Sequence, residues 1–102
     1  MKIIKKLSCF IDEEIGDAEK YARLALEYKD EDPALAQTFY TLSIDEMKHM
    51  TMLHESVVKL ISQVQEEDDP RIEGMRMAYE VLHEKAIDDA TKVRVMQNMF
   101  RE

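Results

Sequence analysis

Glycine and proline are nearly missing from this chain, with two of each in 102 residues, and there is no tryptophan and one cysteine, Cys9. So few turn-forming residues leave little material for strands joined by tight turns. A composition that is 35% charged and 45% hydrophobic instead suits long helices. A lone cysteine excludes an internal disulfide framework and any four-cysteine metal ribbon. Near a helix start, Cys9 reads as a small, semi-buried residue. Positive charge is scarce as well: 14 Lys and Arg face 22 Asp and Glu, for a net charge of −8. With no basic stripe, a nucleic-acid partner is not expected. Charges interrupt every apolar run well short of the ~20 residues of a membrane span. The opening Met1 to Ile11 has a basic head, but Asp12-Glu13-Glu14 cuts off its apolar stretch too soon for a secretory core of at least ~7 residues. It reads as the first turns of a helix. The expected location is cytoplasmic, with residence inside a larger protein compartment left open.

What is present is helical periodicity in one small domain spanning residues 1–102, long enough for a modest core. Three long helices are predicted, over about 3–28, 33–65 and 70–100. Lys29-Asp-Glu-Asp-Pro33 separates the first two, with Asp32 placed to cap and Pro33 to occupy the first helical turn. Glu66-Glu-Asp-Asp-Pro70 repeats that signature before the third. The third helix follows Ile72, Met75, Tyr79, Leu82, Ala86, Ala90, Val93 and Phe100, with a bend allowed near Ile87 to Ala90. The eight methionines read as packing residues of helical cores and interfaces rather than as copper ligands.

Polar residues interrupt two of the apolar stripes. On helix 2 the stripe runs Leu35, Phe39, Leu42, Glu46, His49, Leu53, Val57, Leu60 and Val64, in alternating steps of three and four. On helix 1 it runs Leu7, Ile11, Glu14, Ala18, Tyr21, Ala25 and Tyr28. A carboxylate in such a seam must be compensated. Folding the two helices as an antiparallel hairpin about residue 31 puts Glu14, Glu46 and His49 within about 5 Å of one height, at 1.5 Å rise per residue. The i, i+3 spacing of Glu46 and His49 sets both on one helix face. Glutamate oxygens and an imidazole so gathered suit iron or manganese, with zinc also admitted. The competing explanation is a buried Glu–His hydrogen-bonded pair with Glu14 turned outward.

A bare Glu-x-x-His is a weak motif, and the chain holds a second, Glu80-Val-Leu-His83. Folding helix 3 back about residue 69 sets Glu46 level with residue 92, which leaves Glu80 on the order of 18 Å away along the axis. Glu80 and His83 therefore do not complete the first site. They come closer in height to His54 and Glu55, where a secondary cation site is the lesser alternative, and a solvated face is their expected role.

Glu14-Ile-Gly-Asp-Ala-Glu-Lys-Tyr21, followed by Ala36-Gln-Thr-Phe-Tyr-Thr-Leu-Ser-Ile-Asp-Glu46-Met-Lys-His49, resembles the first helical hairpin of ferritin-like proteins. Rubrerythrins and the short encapsulated ferritins are the nearest likeness, which covers roughly residues 7 to 61. The resemblance implies an all-α, ferritin-like four-helix bundle completed by homodimerisation. It implies Glu14, Glu46 and His49 as ligands of a di-iron centre shared between two subunits, or of a higher oligomer. Tyr21 matches a tyrosine common in the family and is the expected catalytic residue, as a hydrogen-bond donor or one-electron relay, the alternative being a core tyrosine with a satisfied hydroxyl. The implied activity is oxidation of Fe²⁺ with dioxygen or peroxide, as a ferroxidase, in iron handling or in peroxide scavenging. The chain departs from the family in having one well-placed Glu-x-x-His set instead of two. It also lacks the rubredoxin-like cysteine pairs of full rubrerythrins, and no shell-targeting peptide is evident in Met96 to Glu102. The rival expectation is a non-catalytic helical interaction module, with a buried Glu/His network or a structural metal site.

Overall fold

A computed structural model describes residues 2–63 and 71–102, and these form three helices: α1 (Lys2–Tyr28), α2 (Pro33–Gln63) and α3 (Arg71–Arg101). No strand occurs among the described residues. The expected second break at Glu66 to Pro70, and the last residues expected for helix 2, lie outside them. None of the helices is long and apolar enough to cross a membrane.

The first turn is built as its residues dictate. The Asp32 carboxylate accepts a hydrogen bond from the Leu35 N–H at 3.2 Å, and Pro33 opens α2, where its missing N–H costs nothing. The Asp32 N–H in turn donates to the Tyr28 carbonyl at 2.9 Å, so one residue closes α1 and caps α2. The hairpin that follows is held at a fixed register by Ser43, whose hydroxyl donates to the Ala18 carbonyl at 2.7 Å. That contact reproduces the fold about residue 31.

α3 runs antiparallel to α2 and therefore parallel to α1, and it lies chiefly along α1 of its own chain. The Gln97 amide donates to Ser43 Oγ at 2.9 Å, and Tyr40 stacks on Phe100 with ring centroids 4.8 Å apart. Both contacts agree with a fold about residue 69. The core consists of Ile4, Ile11, Ile15, Ala18 and Ala22 from α1, Met47, Val57 and Ile61 from α2, and Tyr79, Ala86, Ala90 and Val93 from α3. Three helices of this length make a rod of 58 × 17 × 16 Å. Its radius of gyration is 16.5 Å, where a globular chain of this size would have about 13 Å.

The buried line of α2 is not the one its large apolar residues trace. It passes through Ala36, Ser43, Met47 and Ile61, each one position beside the expected seam, and rejoins that seam at Val57, which is buried as expected. Toward the turn Ala36 and Ser43 fill the line where α1 approaches, and the bulky Leu35, Phe39, Leu42 and Leu53 fall on its flank. On α3, Leu82 is exposed although it belongs to the expected stripe. Cys9 is exposed too, not semi-buried, because its side of α1 has no neighbouring helix. Met47 is buried and Met50, Met75 and Met96 pack against the core, while Met52, Met77 and Met99 point outward.

One consequence is an uncovered apolar side. α3 faces Ser8, Ile11 and Asp12 of α1 and Ile44, Met47 and Thr51 of α2. The opposite side of the hairpin carries Ile3, Phe10, Tyr21 and Tyr28 from α1, with Leu35, Phe39, Leu42 and Leu53 from α2, all partly or fully exposed. Phe39 stacks on Tyr21 and tilts against Tyr28 there, at centroid distances of 6.3 and 6.2 Å.

Candidate metal centre

Glu14, Glu46 and His49 meet on that uncovered side. His49 Nδ1 lies 3.6 Å from a Glu14 carboxylate oxygen and 3.7 Å from one of Glu46. One donor atom from each residue falls within 4.8 Å of the others. Among the described residues this is the only such convergence of three His, Cys, Asp or Glu side chains. The hairpin register set by Ser43 and Ala18 produces it: Glu14 stands about one turn before Ala18, and Glu46 about one turn after Ser43. The predicted level match of the three residues is thus met.

Their burial differs from expectation. The Glu14, Glu46 and His49 side chains are 27%, 19% and 53% exposed, so the triad stands at the floor of an open face and not inside a closed seam. The displaced buried line of α2 is the reason, since it leaves Glu46 and His49 on the flank. Water reaches His49 freely, and the cost of holding two carboxylates together is reduced accordingly.

The donor set fits a divalent transition-metal ion. Ligand atoms around a shell of about 2.1 Å bonds stand about 3–4.2 Å apart, and the His49–Glu14 and His49–Glu46 spacings fall inside that range. Two carboxylates supply charge neutralisation and one imidazole supplies a nitrogen donor, the mixture that suits iron, manganese or zinc.

Tyr21 does not touch the triad. It lies two turns along α1 from Glu14, about 10 Å by helical rise, with its ring against Phe39 and the Lys20 ammonium 5.3 Å above it. Glu80 is exposed and does not join a three-ligand group, as its place on α3 predicts. His83, however, is not simply solvated. Its ring lies parallel to that of His54, with centroids 3.9 Å apart and planes 2° from parallel, and His54 Nδ1 is 2.8 Å from the Tyr79 hydroxyl. The sequence held one clue to this cluster: His54 and His83 are nearly equidistant from the second break, hence at one height.

Burial lowers the pKa of His54 from its ordinary 6.5, and the neighbouring His83 adds to the effect against a smaller opposing pull from Glu55. Burial alone pushes the Tyr79 phenol upward. Comparison of the chain with protein-family models, with curated proteins and with solved structures finds no match.

Proposed function

We propose that two copies of this chain pair through the uncovered side of the α1–α2 hairpin to form a ferritin-like four-helix bundle that binds two Fe²⁺ ions and oxidises them. One observation carries the reading: Glu14, Glu46 and His49 converge within 4.8 Å on an apolar face that, among the described residues, no helix of the same chain covers. Two-fold pairing makes such an interface self-complementary. It would bring two triads together, four Glu and two His in all, and would bury the flanking Leu42, Leu53 and Phe39 around them.

Each residue then has a defined task. Glu14 and Glu46 neutralise cationic charge from two different helices, so the hairpin register fixes their separation. His49 contributes the nitrogen donor. The apolar flanks exclude bulk water, which strengthens every charge interaction within. Iron held there would supply one-electron chemistry, with dioxygen or peroxide as the acceptor. Tyr21, about 10 Å along α1 from Glu14, is out of hydrogen-bond reach of that chain's triad and is assigned the role of one-electron relay. Ferroxidase activity, iron handling and peroxide removal all draw on this one set of ligands.

The test is an anaerobic Fe²⁺ titration of metal-free protein by native mass spectrometry, followed by admission of air. A dimer that saturates at two irons and then gains a near-ultraviolet ferric band is the expected result. A monomer, or a dimer that takes up no iron, overturns the proposal and leaves the triad as a polar network in an interaction protein.

A further inference from the structure

At the end of the rod away from the α1–α2 turn, α2 and α3 meet through aromatic rings. His54 from α2 and His83 from α3 stack face to face at 3.9 Å, and both lie 5.9 Å by centroid from Tyr79. A cavity of about 310 Å³ opens beside them, lined by Val58, Ile61, Arg76 and Glu80 among others. Water therefore has access to the rings. Elsewhere α3 is anchored by different means: Gln97 is buried against Ser43, Phe100 is stacked on Tyr40, and the Lys29 ammonium donates to the Met99 carbonyl at 3.3 Å. None of those contacts contains a group that changes charge near neutral pH. The stack does.

Two neutral imidazoles, or one neutral and one charged, attract when stacked. Two imidazolium ions at the same spacing repel. The Tyr79 hydrogen bond is compatible with either state, so the stack carries the distinction: a neutral His54 can accept the phenol's proton at Nδ1, and a charged His54 can donate its N–H to the phenol oxygen. The charged and titratable groups around the stack come from all three helices: Glu55 on α2, Arg76, Tyr79 and Glu80 on α3, and Asp12 on α1, which shares a cleft with His83. Glu55 favours a proton on His54, while burial and the neighbouring His83 oppose it more strongly.

We propose that the His54–His83 stack is an acid-released latch that holds the N-terminal half of α3 on the hairpin while at least one ring is neutral and frees it when both are charged. Release uncovers Ile11, Val57 and Ile61 at that end, while the Gln97 end stays docked. The device is independent of Glu14, Glu46 and His49, which lie on the opposite side of the hairpin.

Hydrogen exchange read by mass spectrometry on the full chain, at about pH 7.5 and about pH 5 with intrinsic rates corrected, tests the latch. Peptides within 71–86 of the wild-type protein lose at least about tenfold protection on acidification, while peptides within 93–101 change little. His83→Phe keeps a flat ring without a charge and retains protection of 71–86 at the lower pH; His83→Gln, which cannot take a second charge, does likewise if the phenylalanine variant fails to fold. His49→Gln responds to acid as the wild type does. Equal loss along all of α3, no loss in the wild type, or an undiminished acid response in both His83 variants overturns the proposal.

Discussion

Ser43→Ala is the sharpest probe of how the three helices are held in register. The Ser43 hydroxyl is fully buried, donates to the Ala18 carbonyl at 2.7 Å and accepts from the Gln97 amide at 2.9 Å. Removing it treats its two partners differently. The Ala18 carbonyl keeps its helical bond to the N–H four residues on. The Gln97 amide, itself buried, loses its acceptor. An orphaned buried donor costs about 1–3 kcal/mol, so we expect a loss of about 2 kcal/mol. For a domain of this size that corresponds to a drop of about 8–16 °C in Tm. Urea denaturation of metal-free protein at fixed concentration measures it, with an unchanged slope as the control for two-state unfolding. The second half of the test is Ser43→Ala combined with Gln97→Leu, which removes the donor as well as the acceptor and recovers most of the loss. A Ser43→Ala variant within about 0.5 kcal/mol of wild type would refute the reasoning. So would a double variant whose loss equals the sum of the single ones.

Three further expectations follow from single contacts. Asp32→Ala removes the cap on the Leu35 N–H and lowers stability by about 1 kcal/mol in the same urea assay, with Asp32→Ser recovering most of it. Glu46→Ala abolishes the stabilisation that excess Fe²⁺ or Mn²⁺ gives the wild type in thermal melts, about 2.7 kcal/mol at a hundredfold excess over Kd; a variant still stabilised by metal would remove Glu46 from the site. The His54 pKa is lower in the folded chain than its ordinary 6.5, so the unfolded chain binds the proton more readily. The stability tied to neutral His54 is therefore complete above about pH 6.5 and is lost as pH falls through the folded value. Thermal melts between about pH 7.5 and 5 should show a decline that His54→Phe diminishes.

Much of this architecture was legible in the chain itself. Asp32-Pro33 marks a helix start by cap and fixed φ, and the observed bond from Leu35 is that cap. Counting residues from residue 31 was enough to bring Glu14 level with Glu46 and His49, because helical rise is constant and the turn is short. The side of α2 that faces α1 was not legible in the same way. Large apolar residues trace the stripe through Leu35, Phe39 and Leu42, but contact between helices is made by Ala36, Ser43 and Met47. Hydrophobic type records that a residue avoids water, not which neighbour removes it from water. A wide apolar face with one flank unpaired within the chain therefore looks like a single seam. The stack of His54 on His83 escaped for a related reason: equal height was readable, but two rings turning face to face depends on the angular position of α3, which lies mostly along α1.

The sizes of the residues between α1 and α2 change along the rod. Near the turn the seam is filled by Ala18, Ala22, Ala25 and Ala36, and toward the far end by Ile4, Ile11, Ile15, Val57 and Ile61. A seam filled in this way grades from small side chains at the turn to larger ones beyond. Glu14 and Glu46 stand where alanine gives way to isoleucine and methionine, so the span between the two carboxylates is gauged by the girth of residues other than the ligands. Lengthening one of those alanines by a methylene or two would act as a shim, spreading the carboxylates without altering either one. A change of ion preference could thus be written into the alanine ladder rather than into the ligands.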